Sequence, residues 1–146
     1  MKNLLAALVI LAFMATNASA CSCGLVSLDL NVGEADDIFI ATLQGAKVMP
    51  GDYPQKRPFI EGVFRIKKAL KGSIQTKEIS LTTGLGRGDC GVSMFVSSTY
   101  IIFKAKEYSS IGICSGSSSI EDFQEDEIVA KIQTIINRRK SKPQGK

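Results

Sequence analysis

The residues in this chain that can do chemistry are four cysteines, Cys21, Cys23, Cys90 and Cys114, set against a complete absence of histidine. Without histidine there is no Ser-His or Cys-His nucleophile, no general base titrating near neutral pH and no imidazole to ligate zinc. The chain is therefore expected not to be an enzyme and to need no cofactor of its own. The cysteines suit a different task. An even count downstream of an export signal points to two disulfides in an oxidising compartment. A Cys21–Cys23 bond would close a very small ring of poor geometry, so each of these two cysteines is expected to reach a distant partner. Loops of about 70 to 90 residues closed in this way contribute on the order of 4 kcal/mol each in the chain-entropy account. A start pinned by two crosslinks would lie flat on the body, although chain termini normally fray. A redox role for Cys21-Ser22-Cys23 lacks both the Cys-x-x-Cys spacing and a neighbour that would lower a thiol pKa.

The export signal is the stretch before Cys21. Met1-Lys2-Asn3 is a short basic start, Leu4 to Met14 is apolar, and Ala18-Ser19-Ala20 is a small-residue cleavage site. Residues 1–20 are read as a secretory signal peptide. Removing them from the 146-residue chain leaves 126 residues, and the loss of Lys2 lowers the net charge from +4 to +3. No later run reaches the roughly 18 apolar residues of a membrane span. A charge of +3 is mild, and the cluster Arg138-Arg139-Lys140-Ser141-Lys142 reads as a solvated helix end, so no nucleic-acid partner is expected. The expected location is secreted or periplasmic.

The elements that must position the cysteines are mainly β. Asp36 to Met49, Phe59 to Leu70 and Lys77 to Thr83 read as strands separated by Pro50-Gly51, the polar stretch Asp52 to Pro58, and Lys71-Gly72. Gly84 to Asp89 is a glycine-rich turn before Cys90 that lacks the Gly-Lys-Ser ending of a phosphate loop. Gly91 to Val96 and Thr99 to Ala105 read as a strand pair or one bent strand, and Ser110 to Cys114 completes the β region. About five short strands suggest a small barrel or sandwich. Ser119-Ile120-Glu121-Asp122 fits a capping box, and Ile128, Ile132, Ile135 and Ile136 form one apolar helical stripe. Acidic residues at its start and Arg138 to Lys140 at its end suit the helix dipole. The expectation is one domain over residues 21–140, with a disordered tail over 141–146.

Cys21-Ser22-Cys23 at the expected mature terminus, Cys90-Gly91-Val92-Ser93 inside the chain and the later Cys114 resemble the N-terminal domain of the tissue inhibitors of metalloproteinases, within the netrin-like group. Asp37 to Ala46, Phe59 to Gly72 and Tyr100-Ile101-Ile102-Phe103 are similar to the family's strands, so the resemblance covers nearly the whole mature chain. Animal members have a third disulfide in this domain and a second domain; the chain looks like the short, single-domain bacterial relatives. The resemblance implies a five-stranded OB-type barrel with a C-terminal α-helix and disulfides Cys21–Cys90 and Cys23–Cys114. It implies a zinc metallopeptidase as partner, whose metal the backbone N and O of Cys21 would chelate, displacing the water that the metal activates. Ser22 would face the target's primary specificity pocket. Cys23 and the segment Gly88-Asp89-Cys90-Gly91 would form the remainder of the inhibitory edge.

A rival fate for Cys21 is lipidation, since cysteine directly after Ala18-Ser19-Ala20 is also where a bacterial lipoprotein is cleaved. The position three before it is Ala18, where such sites usually have Leu. An acylated amine and a thioether could neither chelate zinc nor leave Cys21 free for a disulfide. The second functional reading is accordingly a non-inhibitory netrin-like envelope lipoprotein or interaction module, anchored to the membrane through Cys21. Tyr53, Tyr100, Tyr108 and seven Phe offer aromatic surface of the kind OB barrels stack on nucleic acid, but most of these Phe sit in strand runs and read as core.

Overall fold

The computed structural model describes residues 21, 23, 24, 26–51, 57–86 and 88–141. The expected signal peptide, Ser22, most of the Asp52–Pro58 loop and residues 142–146 lie outside the described residues. Chain order runs helix α1 (Leu28–Glu34), strands β1 (Asp37–Met49), β2 (Phe59–Lys71), β3 (Glu78–Thr83), β4 (Thr99–Lys104) and β5 (Ser118–Ile120), and helix α2 (Glu125–Ser141). The strands form one antiparallel sheet in the order β3-β2-β1-β4-β5.

The two central strands explain the unbroken apolar runs in the sequence. A strand buried on both faces has no reason to alternate. In β1, Ile38 and Ile40 face one side and Phe39, Ala41 and Leu43 the other; in β4, Ile101 and Phe103 oppose Tyr100 and Ile102. The first side is covered by the helices through Val32, Ala35, Val129, Ile132 and Ile136. The second is the inside of the curled sheet, filled by Phe64, Leu81, Val92 and Ile111, with the Phe64 ring edge-on to Tyr100 at 5.4 Å. Register shifts after Ile38, Ile40 and Leu43 bend β1 so that the sheet can curl. The curl stops short of a closed barrel. Among the described residues, β3 meets the far side through one parallel bridge, Thr82 to Ser110, where Thr82 N–H donates to Ser109 and Ile111 N–H to Thr82. The architecture is thus mainly β and only loosely barrel-like.

Several local expectations change. Gly91 to Val96 is not a strand, because its N–H groups find side chains instead of a ladder: Val92 N–H donates to Thr83 Oγ1 at 2.7 Å, and Phe95 N–H to the Tyr100 hydroxyl at 2.6 Å. Burial pushes the Tyr100 phenol above its ordinary pKa despite that bond, so it stays a neutral donor to the Ser93 carbonyl. Ser110 to Cys114 supplies only the bridge at Ser110 before a 3-10 turn over Ile113–Ser115. The capping box lies two residues later than the Ser119 pattern indicates. Ser119 is in β5, and Glu121 and Gln124 cap each other before the 3-10 turn Asp122–Gln124 that feeds α2. Helix α2 also includes Ser141, the first residue of the expected tail.

Helix α1 has no counterpart in the sequence reading. Ser27 caps it by accepting from Leu30 N–H, and Lys71 closes its other end by donating to the carbonyls of Val32 at 2.8 Å, Gly33 and Ala35. Arg138 and Arg139 of α2 hold Asp29, and Arg139 also donates to the Asp29 carbonyl at 2.7 Å. The Arg139 hydrogen bond is foremost in holding the Asp29 carboxyl below its ordinary pKa, and a Cβ at Gly33 would strike the same guanidinium. Replacing Ile132, fully buried between helix and sheet, by Ala is expected to cost about 2–5 kcal/mol in urea unfolding. Phe123→Ala removes a ring that is 82% exposed and should shift stability by no more than about 0.5 kcal/mol.

Candidate functional site

The site is assembled from three pieces of irregular chain that the sheet brings together: the Cys21–Gly24 segment, the loop between β3 and Val92, and the turn carrying Cys114. Thr83, buried at the end of β3, sets the second piece. Its hydroxyl donates to the Ile111 carbonyl at 2.8 Å and accepts from Val92 N–H, joining the exit of the loop to the segment that leads to Cys114. Ile113 N–H then donates to the Cys90 carbonyl at 3.0 Å, a bond that involves no sulfur and joins the segments carrying the two downstream cysteines.

Inside the loop, Asp89 replaces the missing backbone partners. Its carboxylate accepts from the N–H groups of Leu85 at 2.6 Å, Gly86 at 2.8 Å and Gly91 at 3.2 Å. Desolvation acts upward on this carboxyl, but these hydrogen bonds outweigh it and hold the pKa below the ordinary 3.8. The chain can wrap around one side chain because Gly86, Gly88 and Cys90 take left-handed φ values of 78°, 85° and 59°. For Cys90 that conformation is unfavourable on its own, and the wrap and the Ile113 bond hold it there. Gly91 is buried against the backbone of Gly84, which any Cβ would strike.

Onto this platform the first segment is bonded twice. Cys21 joins Cys90 and Cys23 joins Cys114, with Cα atoms 5.3 and 5.2 Å apart and closed separations of 69 and 91 residues. The pairing is the one that the family resemblance implies. The Sγ atoms of Cys21, Cys23 and Cys114 all lie within 4.8 Å of one another, so the two disulfides are stacked. Cys21 and Cys23 are half-buried and Asp89 is exposed. Cys21, Cys23, Asp89, Cys90 and Gly91 are therefore brought into one ridge, and Ser22 between them lies outside the described residues. Thr83 and the 112–115 turn were not singled out by sequence; a threonine ending a strand and a Gly-Ile-Cys stretch have no signature separating a tether from an ordinary strand end.

Among the described residues every cysteine is in a disulfide, so the ridge offers no free thiol. What it offers is a backbone segment held rigidly at two points two residues apart. No protein-family model and no curated protein matches this chain.

Two outcomes test the platform. The amide resonances of Leu85, Gly86 and Gly91 should titrate together with a midpoint below the ordinary 3.8, and Asp89→Asn should abolish that transition. Because the folded-state pKa is depressed, the stabilisation by Asp89 is complete above its unfolded pKa and disappears as pH falls through the folded value. The difference in stability between the parent and Asp89→Asn should shrink over that acid window. Gly91→Ala should destabilise by about 1–3 kcal/mol, the cost of forcing a methyl into a closed contact.

Proposed function

We propose that this protein inhibits zinc metallopeptidases in the manner of the tissue inhibitors of metalloproteinases, as a short, single-domain relative. After cleavage behind Ala20, the α-amino nitrogen and carbonyl oxygen of Cys21 chelate the zinc of the target and displace its activated water. An ordinary α-amino group has a pKa of roughly 7.7–8.0, so a usable fraction is neutral at physiological pH. Ser22 enters the specificity pocket beside the metal. Cys23, Asp89 and Cys90 line the edge that occupies the substrate cleft, and Gly91, buried against Gly84, supports it from behind. The protein acts by binding, not as an enzyme, and takes no cofactor.

The observation that carries this reading is the Cys21–Cys90 crosslink together with Cys23–Cys114. A chelating terminus must be held still, or most of the binding free energy goes into ordering it; each immobilised side chain costs roughly 0.5–1.5 kcal/mol. Two bonds flanking residue 22 remove that cost before the partner arrives. The same bond weighs against the lipoprotein alternative, because a sulfur in a disulfide cannot also carry diacylglycerol. No described helix is long and apolar enough to cross a membrane, and the disulfides suit a secreted or periplasmic protein.

The test is a titration of the mature chain beginning at Cys21 against a panel of zinc peptidases, beside a form carrying one additional alanine. The extension should weaken inhibition by more than about a hundredfold, the loss of both metal bonds, while leaving the melting temperature within about a degree. Equal potency of the two forms would overturn chelation by the terminus. Replacing Ser22 by Arg should redistribute potency among the panel without affecting stability.

A further inference from the structure

The stacking of the two disulfides has a consequence separate from inhibition. Three sulfurs, those of Cys21, Cys23 and Cys114, already lie within 4.8 Å of one another, and the sulfur of Cys90 is bonded to that of Cys21. A tetrahedral zinc thiolate site has Zn–S distances of about 2.3 Å, which places its sulfurs about 3.8 Å apart. The unbonded sulfurs among Cys21, Cys23 and Cys114 need to close by only about 1 Å to meet that spacing, and Cys90, which lies outside the 4.8 Å group, must swing in as the fourth donor once its bond to Cys21 opens. We infer that the reduced chain holds one soft d10 cation, Zn2+ in the first instance, in a four-thiolate site made of Cys21, Cys23, Cys90 and Cys114.

Three features of the molecule support this. All four donors are of one type, the thiolate, which selects zinc and its softer neighbours over calcium or magnesium. Two of them are placed by contacts that involve no sulfur: the Ile113-to-Cys90 backbone bond joins the segments carrying Cys90 and Cys114, and the Asp89 wrap shapes the loop before Cys90. None of the four belongs to either hydrophobic cluster, so breaking the disulfides leaves both cores filled. The other two donors, Cys21 and Cys23, are two positions apart and their sulfurs already lie within 4.8 Å of each other.

The conversion balances. Each disulfide is reduced by one equivalent of a dithiol, which passes two electrons and two protons to the pair and leaves as its own cyclic disulfide. Binding then exchanges protons for metal: four thiols lose four protons to solvent as one Zn2+ is taken up. Affinity must therefore rise steeply with pH. The inference does not depend on the inhibitory reading, which concerns the oxidised protein and the backbone of Cys21; here the sulfurs act, and only after reduction.

Co2+ serves as the spectroscopic probe. The mature chain is reduced with excess dithiol under anoxia, freed of reductant and titrated with Co2+ while absorbance, far-UV circular dichroism and mass are followed. The expected result is one Co2+ per monomer, with the intense thiolate-to-cobalt charge-transfer band and the visible bands of tetrahedral cobalt, all bleached by Zn2+. Oxidised protein should give none of these. Cys21→Ser, Cys90→Ser and Cys114→Ser should each weaken Co2+ binding by at least about tenfold, the loss of one thiolate ligand of four. If reduction alone unfolds the chain, addition of Co2+ should restore the native dichroism and a cooperative melt. Absence of the charge-transfer band, bridging of two chains by one ion, indifference to Cys90→Ser, or binding that leaves an unfolded chain unfolded would each overturn the inference.

Discussion

Ile113 donates its backbone N–H to the carbonyl of Cys90, and that contact decides where both crosslinks can land. It lies outside any regular ladder, between a loop and a 3-10 turn, and it sets the two downstream cysteines next to each other. Once they are adjacent, an upstream segment with cysteines two positions apart can be bonded at both. Its direction is then determined, because the bonds alternate along it. Had the loop after β3 and the 112–115 turn been a strand's width further apart, the same four cysteines would staple the fold at two unrelated points and the first segment would keep its freedom.

The contact is itself a product of the sheet. Residues 109–111 can reach Thr82 only because β1 bends at its three register shifts and brings β3 round toward the chain leaving β4. The interior cluster of Phe39, Leu43, Phe64, Leu81 and Tyr100 fills the resulting concavity, and the helices cover the outer face through Ile132 and Ile136. At about 25 cal/mol per Å² of apolar surface removed from water, these two layers dominate the folding free energy. The crosslinks add their on the order of 4 kcal/mol each mainly by restricting the unfolded chain. This division of labour lets the site tolerate unfavourable local geometry, such as Cys90 at positive φ, without endangering the fold.

How much of this was legible follows from which forces act locally. The runs Ile38–Ala41 and Tyr100–Phe103 announce central strands, and the isoleucine stripe announces α2, because each element's burial is written in its own period. Gly91–Val96 misleads for the same reason: Val92 and Met94 do alternate inward, but whether a backbone forms a ladder depends on what lies opposite, and here Thr83 and Tyr100 offer side chains. Helix α1 escapes because it is a seven-residue piece containing Gly33, short of the length at which periodicity speaks, although Ser27 followed by Asp29 is a serviceable start signal. The capping box slips by two residues because Ser119 fits the pattern whereas Glu121 is not a residue it calls for, and only pairing of β5 with β4 takes Ser119 into the sheet and passes the cap to Glu121. At the site, residue types and the Cys-x-Cys spacing were readable, whereas the choice among long-range pairings rested on resemblance and is settled by the coordinates.

The irregular backbone of the ridge also has a physical rationale. A ladder would fill the amide positions around Cys90 with strand partners and hold that segment flat in the sheet. Wrapping Leu85, Gly86 and Gly91 around the Asp89 carboxylate satisfies the same N–H groups while turning the chain sharply, and Cys90 at that turn bonds the incoming Cys21. Carboxylate-to-amide bonds are among the stronger hydrogen bonds available, and three on one residue confer the stiffness of secondary structure without its regular shape. The residue that looks most like a site acid is therefore fully engaged in building the loop. Its depressed pKa reflects that engagement.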